Sequence, residues 1–113
     1  MSDCIFCKIV SGDIPSKKIF EDELCYAFYD ISPQSDVHFL VIPKTHDMQA
    51  VKDINETNSD VVAHIFEVIA ELTCEMNIDS YRVITNCGEG AGQTVKHLHF
   101  HVLSGDNLNE NLV

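Results

Sequence analysis

Apolar residues along this chain switch between two periods, and the switches outline its elements. Over residues 59–76 they recur at helical spacing. Val61, Ile65, Val68, Ile69, Leu72 and Met76 form one stripe, with Asp60, His64, Glu67, Glu71 and Glu75 opposite. This predicts one long helix, capped by Thr57, Asn58 or Ser59 and ended at Asn77. Short apolar or alternating runs predict strands at 18–20, 24–29, 39–42, 81–86 and 96–103. A short helix is expected over 4–11, stopped by Gly12 and the Ile14-Pro15 step. Glu21-Asp22-Glu23 reads as a tight turn, 30–37 with Ser32-Pro33 as a loop, and 87–92 as a glycine-rich loop. Short neighbouring strands with one long helix point to an α+β fold around an antiparallel sheet. No repeat or linker divides the chain, so 1–113 is expected to be one domain ending in a polar tail, 104–113.

Composition narrows the function. At 113 residues and 45% apolar content the chain can build a real core. No run approaches the ~20 apolar residues of a membrane span. Met1-Ser2-Asp3-Cys4 lacks the basic and apolar regions of a secretory signal, so a cytoplasmic protein is expected. Five cysteines, an odd number, argue against a disulfide framework. A net charge of −11 makes nucleic acid an unfavourable partner. A small phosphorylated ligand would have to be held locally, by backbone N–H groups, hydroxyls and histidines.

Candidate chemistry concentrates in His97-Leu98-His99-Phe100-His101-Val102-Leu103, which holds three of the six histidines. On a strand these three would share one face at roughly 6.6 Å spacing, with Leu98, Phe100 and Val102 on the other. Three readings stand: phosphorus chemistry with a histidine nucleophile, a three-histidine zinc site, or a histidine-rich surface strand. The preceding Gly88-Glu89-Gly90-Ala91-Gly92-Gln93-Thr94 leads into a strand, which excludes the dinucleotide fingerprint. Its amides could form an anion nest, or the segment could be a plain flexible loop. Cys4-Ile5-Phe6-Cys7 is half of a zinc site, with His46 and His97 as candidate partners, or two buried thiols. His38 is a second site histidine or a satisfied core one. Asp30 is a ribose acceptor or the start of an Asx turn. His64, Lys44 and Lys96 read as solvated surface groups.

These residues together resemble the histidine triad family, and within it the Hint branch of small nucleotide-binding hydrolases. The similar stretches are Cys4–Ile9, Ile14-Pro15, Phe20-Glu21-Asp22, Ala27–Pro33, His38–Lys44 with His46, and Asn86 through Gly92-Gln93 to Leu103. The resemblance implies a five-stranded antiparallel sheet with one long and one short N-terminal helix. It implies homodimers pairing through residues 59–86. It also implies hydrolysis or transfer at the α-phosphorus of purine nucleoside 5′-phosphoramidates or related nucleotides, with no cofactor needed for the chemistry.

By this resemblance His99 is the nucleophile, His101 contacts the phosphate and His38 assists. Asn86, Gly92, Gln93, Thr94 and the Val95 amide fall at the phosphate. Asp30 falls at the ribose, with Ile5, Phe6, Ile9, Phe28 and Ile31 around the base. Cys4, Cys7, His46 and His97 match the structural zinc ligands of bacterial-type relatives. Thr94 stands where a serine is frequent, and the tail lacks the tryptophan some relatives carry. Two other functions compete: a nucleotide-binding interaction module with little turnover, and a metallohydrolase with His97, His99 and His101 on one zinc.

Overall fold

Alternation along two central strands sorts the side chains onto the two faces of the sheet, each covered by a helix. The computed structural model describes residues 4–106 and Leu108; of the expected tail, residues 107 and 109–113 lie outside the described residues. In chain order the elements are α1 (Ile5–Ser11), β1 (Lys18–Glu21), β2 (Cys25–Tyr29), β3 (Val37–Pro43), α2 (Ser59–Glu75), β4 (Arg82–Ile84) and β5 (Phe100–Ser104). Single 3-10 turns occupy Val51–Asp53 and Glu89–Ala91. The sheet order is β1-β2-β3-β5-β4, every neighbouring pair antiparallel. The expected α+β class and five-stranded antiparallel sheet are therefore present.

Cys25 and Ala27 of β2, Phe39 and Val41 of β3, and Phe100 and Val102 of β5 face α2. There they join Ile65, Val68, Ile69 and Leu72 in one buried cluster. The predicted helical stripe is thus the packing face, and Val61 and Met76 flank it. Burying each such large side chain contributes about 1.5–3 kcal/mol, so an acidic residue at Ile69 would break this layer. Tyr26, Phe28, Leu40 and Ile42 point the other way and pack with Phe6 and Ile9 of α1. Helix α2 ends as expected, with Asn77 in the left-handed region at φ 59°. The Asn58 side chain does not cap the helix; its oxygen accepts from the Asn55 amide instead. Among the described residues no helix is long and apolar enough to cross a membrane.

The expected histidine strand is shorter than its sequence pattern. Pairing starts at Phe100, opposite Val41, and not at Lys96. Upstream, the Leu98 amide donates to the Met48 carbonyl instead of joining the ladder. The inward alternation of Leu98, Phe100 and Val102 nevertheless holds, since all three lie in the core beneath α2.

Candidate active site

His101, flanked by Phe100 and Val102, pairs in register with Leu40 of β3 and Ile84 of β4. His99 precedes the strand and lies beside it, its ring centroid 5.1 Å from that of His101. The hydrogen bonds fix the tautomers. His99 Nδ1 lies 2.6 Å from the His97 carbonyl oxygen, which can only accept, so Nδ1 carries the proton and Nε2 keeps a lone pair. On β3, His38 Nδ1 accepts from the Gln34 amide at 3.0 Å, so its Nε2 bears the hydrogen. That Nε2 lies 2.9 Å from His101 Nδ1 and donates to it, leaving His101 Nε2–H as a free donor. Asp30 Oδ2 stands 3.5 Å from His38 Nε2, while its Oδ1 accepts from the Ser32 amide at 2.7 Å. The carboxylate therefore makes the Asx turn and also lines the cavity described next.

Burial pushes the pKa of His99 below the ordinary imidazole value, against the opposing pull of the His97 carbonyl and Asp30. It likewise lowers His38, opposed by Asp30. Burial, followed by the neighbouring His99 and His38, holds His101 down to about 4. All three rings are therefore neutral at pH 7. The first presents a lone pair, and the other two form a donor chain.

His99 and His101, but not His38, border a cavity of about 380 Å³ lined by Ile5, Phe6, Ile9, Phe28, Asp30, Ile31, Leu40, Asn86, Gly92, Thr94, Val95, His99 and His101. Its apolar end is built by α1 and β2, where Phe6 meets Phe28 and His99 edge-on at 5.7 and 5.0 Å. The polar end comes from the glycine loop. Leu40 was not anticipated, although its alternation with His38 and Ile42 would have found it. Gln93 does not line the cavity. Its oxygen accepts from the Gly88 amide and its nitrogen donates to the Gln49 and Val95 carbonyls, bracing the loop from behind.

The expected anion nest is displaced as well. The Gly88 amide is taken by Gln93, and those of Ala91, Gly92 and Gln93 bond to carbonyls within the turn. The Thr94 and Val95 amides find no such partner among the described residues, and both residues line the cavity. Gly92 has a φ of 93°, a conformation that favours glycine and swings the chain back toward the site.

His97 goes elsewhere. Its Nε2–H donates to the Pro43 carbonyl at 2.8 Å, so Nδ1 presents a lone pair to Cys4 Sγ at 3.4 Å, Cys7 Sγ at 3.7 Å and His46 Nδ1 at 3.2 Å. Cys7 Sγ is 3.3 Å from His46 Nδ1, and all four ligand atoms lie within 4.8 Å of one another, a set that could hold a metal ion. Burial lowers the His97 pKa, which keeps its nitrogen available as a ligand. The three histidines of the run do not converge on one ion. The Phe6 ring stands against both His97 and His99, at 5.9 and 5.0 Å.

His64 is not merely solvated: its Nε2 meets Asp22 Oδ2 at 2.5 Å, tying α2 to the β1–β2 turn. Burial raises the Asp22 pKa, but His64 and the Leu24 and Cys25 amides outweigh it and bring the carboxyl to about 2. Lys44 is paired too, with Glu21 at 2.7 Å.

Comparison with known proteins adds three findings. The profile of the family described as "Scavenger mRNA decapping enzyme C-term binding" matches residues 3–111. An uncharacterised HIT-like protein of Helicobacter pylori is 44% identical over 104 residues, spanning 90% of this chain and 96% of that protein. Among solved structures, a HIT family hydrolase from Clostridium thermocellum superposes with a TM-score of 0.94 at 41% identity, covering 100% of this chain and 99% of that one. A histidine triad nucleotide-binding protein from Candida albicans gives 0.80 at 38% identity, over 88% and 73%.

Proposed function

The chain belongs to the histidine triad family, and on that premise we propose that it hydrolyses or transfers at the α-phosphorus of purine nucleoside 5′-phosphoramidates or related nucleotides. The observation that carries this reading is the tautomer of His99: with Nδ1–H held by the His97 carbonyl, the Nε2 lone pair is the group free to attack. Attack forms the Nε2–phosphorus bond as the bond to the leaving group breaks. Water then cleaves the nucleotidyl-histidine and restores the ring. His101 Nε2–H donates to a phosphoryl oxygen, oriented by the His38 donor behind it. Thr94, the Val95 amide, Asn86 and Gly92 hold the remaining oxygens, Asp30 accepts from the ribose, and the base lies among Ile5, Phe6, Ile9, Phe28 and Ile31. The Candida albicans relative, described as nucleotide-binding, supports a nucleotide as the ligand.

The metal that suits Cys4, Cys7, His46 and His97 is zinc. A tetrahedron of zinc ligands has edges of about 3.3–3.8 Å, and the distances between these atoms run from 3.2 to 3.7 Å where they are measured. When bound, it would hold α1 against the loop of His97 through these four side chains. Pairing of two copies through residues 59–86 is supported by β4 being a sheet edge and by the exposed rings of Phe66 and Tyr81. A cytoplasmic location suits five free thiols.

The decisive experiment is a brief incubation with an adenosine phosphoramidate, quenched without acid and read by intact mass. A nucleotidyl adduct that is present in the parent and absent in His99→Ala is expected. Absence of any adduct, with turnover unaffected by His99→Ala, would sink the reading.

A further inference from the structure

Beyond the polar end of the nucleotide cavity the surface continues as a groove of about 620 Å³. It shares Ile5, Thr94 and Val95 with that cavity and adds Gln49 and Lys96, with the metal-site residues Cys4 and His46 also on its wall. Gln49 and Lys96 then lead into a further pocket of about 400 Å³ that brings in Lys52 together with the carboxylate of Glu89. Two lysines thus converge on one track in a chain of net charge −11 with only seven basic residues. Lys18 and Lys44, by contrast, both bind Glu21. Lys52 has no carboxylate within ion-pair distance among the described residues. Its neighbour Asp53 is occupied by the Gln49 and Ala50 amides. Among the described residues Lys96 meets only Glu89, at 4.0 Å, with the two side chains 68% and 83% exposed, a pair too open to hold it.

In-line displacement sends the leaving group away from the attacking nitrogen. His99 lines the nucleotide cavity and not the groove, whereas Thr94 and Val95 line both. We propose that the groove running from Thr94 past Gln49 and Lys96 to Lys52 is the leaving-group subsite, and that it selects leaving groups bearing a negative charge. The inference rests on the reaction assigned above. The same charge could be a second phosphoryl group or the carboxylate of an amino-acid leaving group.

The test compares binding of adenosine monophosphate with that of its methylene-bridged diphosphate analogue. In parallel, it compares kcat/KM for two adenosine phosphoramidates, one with an amino-acid leaving group and one with the corresponding neutral amide. Each is measured in the parent, Lys96→Ala, Lys52→Ala/Lys96→Ala and Lys96→Glu. The anionic member of at least one pair is expected to be favoured about tenfold, on the scale of two exposed charge contacts. The double variant should bring that ratio toward one and Lys96→Glu should invert it, with monophosphate affinity changing less than twofold. A preference confined to one pair identifies the phosphoryl or the carboxylate source, and one in both identifies charge alone. Ratios that the variants leave unmoved while monophosphate still binds overturn the subsite. Absence of nucleotide binding altogether overturns the nucleotide reading, and the subsite with it.

Discussion

At His97 a carbonyl of β3 holds Nε2, and the free Nδ1 turns toward two thiols and another imidazole; two residues on, at His99, a carbonyl holds Nδ1 and the free Nε2 is left for the cavity. On the reading proposed above, identical side chains are employed as a metal ligand and a nucleophile because the backbone picks which nitrogen keeps the proton. The difference teaches that a histidine's employment here is decided by its hydrogen-bond partner, and that its place in a motif decides only which partner it can reach.

The comparison breaks most visibly at His99, the proposed nucleophile. His99→Ala should lower turnover by at least about four orders of magnitude while nucleotide affinity, read by calorimetry, stays within a few-fold. Replacing His38 by Asn removes the donor that orients His101. A loss of about 10²-fold in kcat is expected, with KM little changed under steady-state assay. On the other side of the comparison, Cys4→Ser with Cys7→Ser should abolish metal in elemental analysis. The thermal midpoint should fall by about 10 °C, yet turnover below that midpoint should drop less than tenfold. A loss equal to that of His99→Ala would erase the division of labour.

Acid sharpens the picture through two separate windows. His101, held at about 4 against an ordinary 6.5, is protonated in the unfolded chain before the folded one, so stability falls as pH drops from 6.5 to 4. Asp22, held at about 2 against 3.8, contributes above 3.8 and loses that contribution between 3.8 and 2. In thermal midpoints measured against pH, His101→Gln should lessen the slope of the upper window, to which the likewise lowered His38, His97 and His99 also contribute, and Asp22→Asn should act only on the lower. The smallest effect belongs to His64→Ala. With both partners near 30% exposed, its loss should cost about 1 kcal/mol or less in denaturant unfolding.

Much of this was legible in the chain because short-range rules governed it. The stripe from Val61 to Met76 could be buried in one way only, and Asn77 ended the helix with a residue that tolerates positive φ. Alternation in β3 placed His38 with Leu40 and Ile42, opposite Phe39 and Val41, and α1 followed from Gly12 and Pro15. The residues expected at base, ribose and phosphate line one cavity, except Gln93. What could not be read was long-range. The start of β5 depends on Met48 taking the Leu98 amide, and His64 has a partner 42 positions away. Gln93 faces backward because three backbone groups, one of them 44 positions distant, offer it hydrogen bonds. Nor does periodicity assign a tautomer, which waits on the carbonyls of Pro43 and His97.

Cys4 and His97 stand 93 positions apart and meet across a single contact. A ribosome therefore releases one wall of the cavity, with Phe6 and Ile9, long before it releases the histidines that face it. Helix α1 is only seven residues long, too short to persist by itself. Its apolar face has nothing to cover until β2 and β3 are paired, and Cys4 and Cys7 cannot meet His97 until that residue has emerged. Assembly of the site thus waits for residues 97–101 to emerge. A chain that stalled before residue 97 would carry the pocket's floor and its polar loop without His99 or His101.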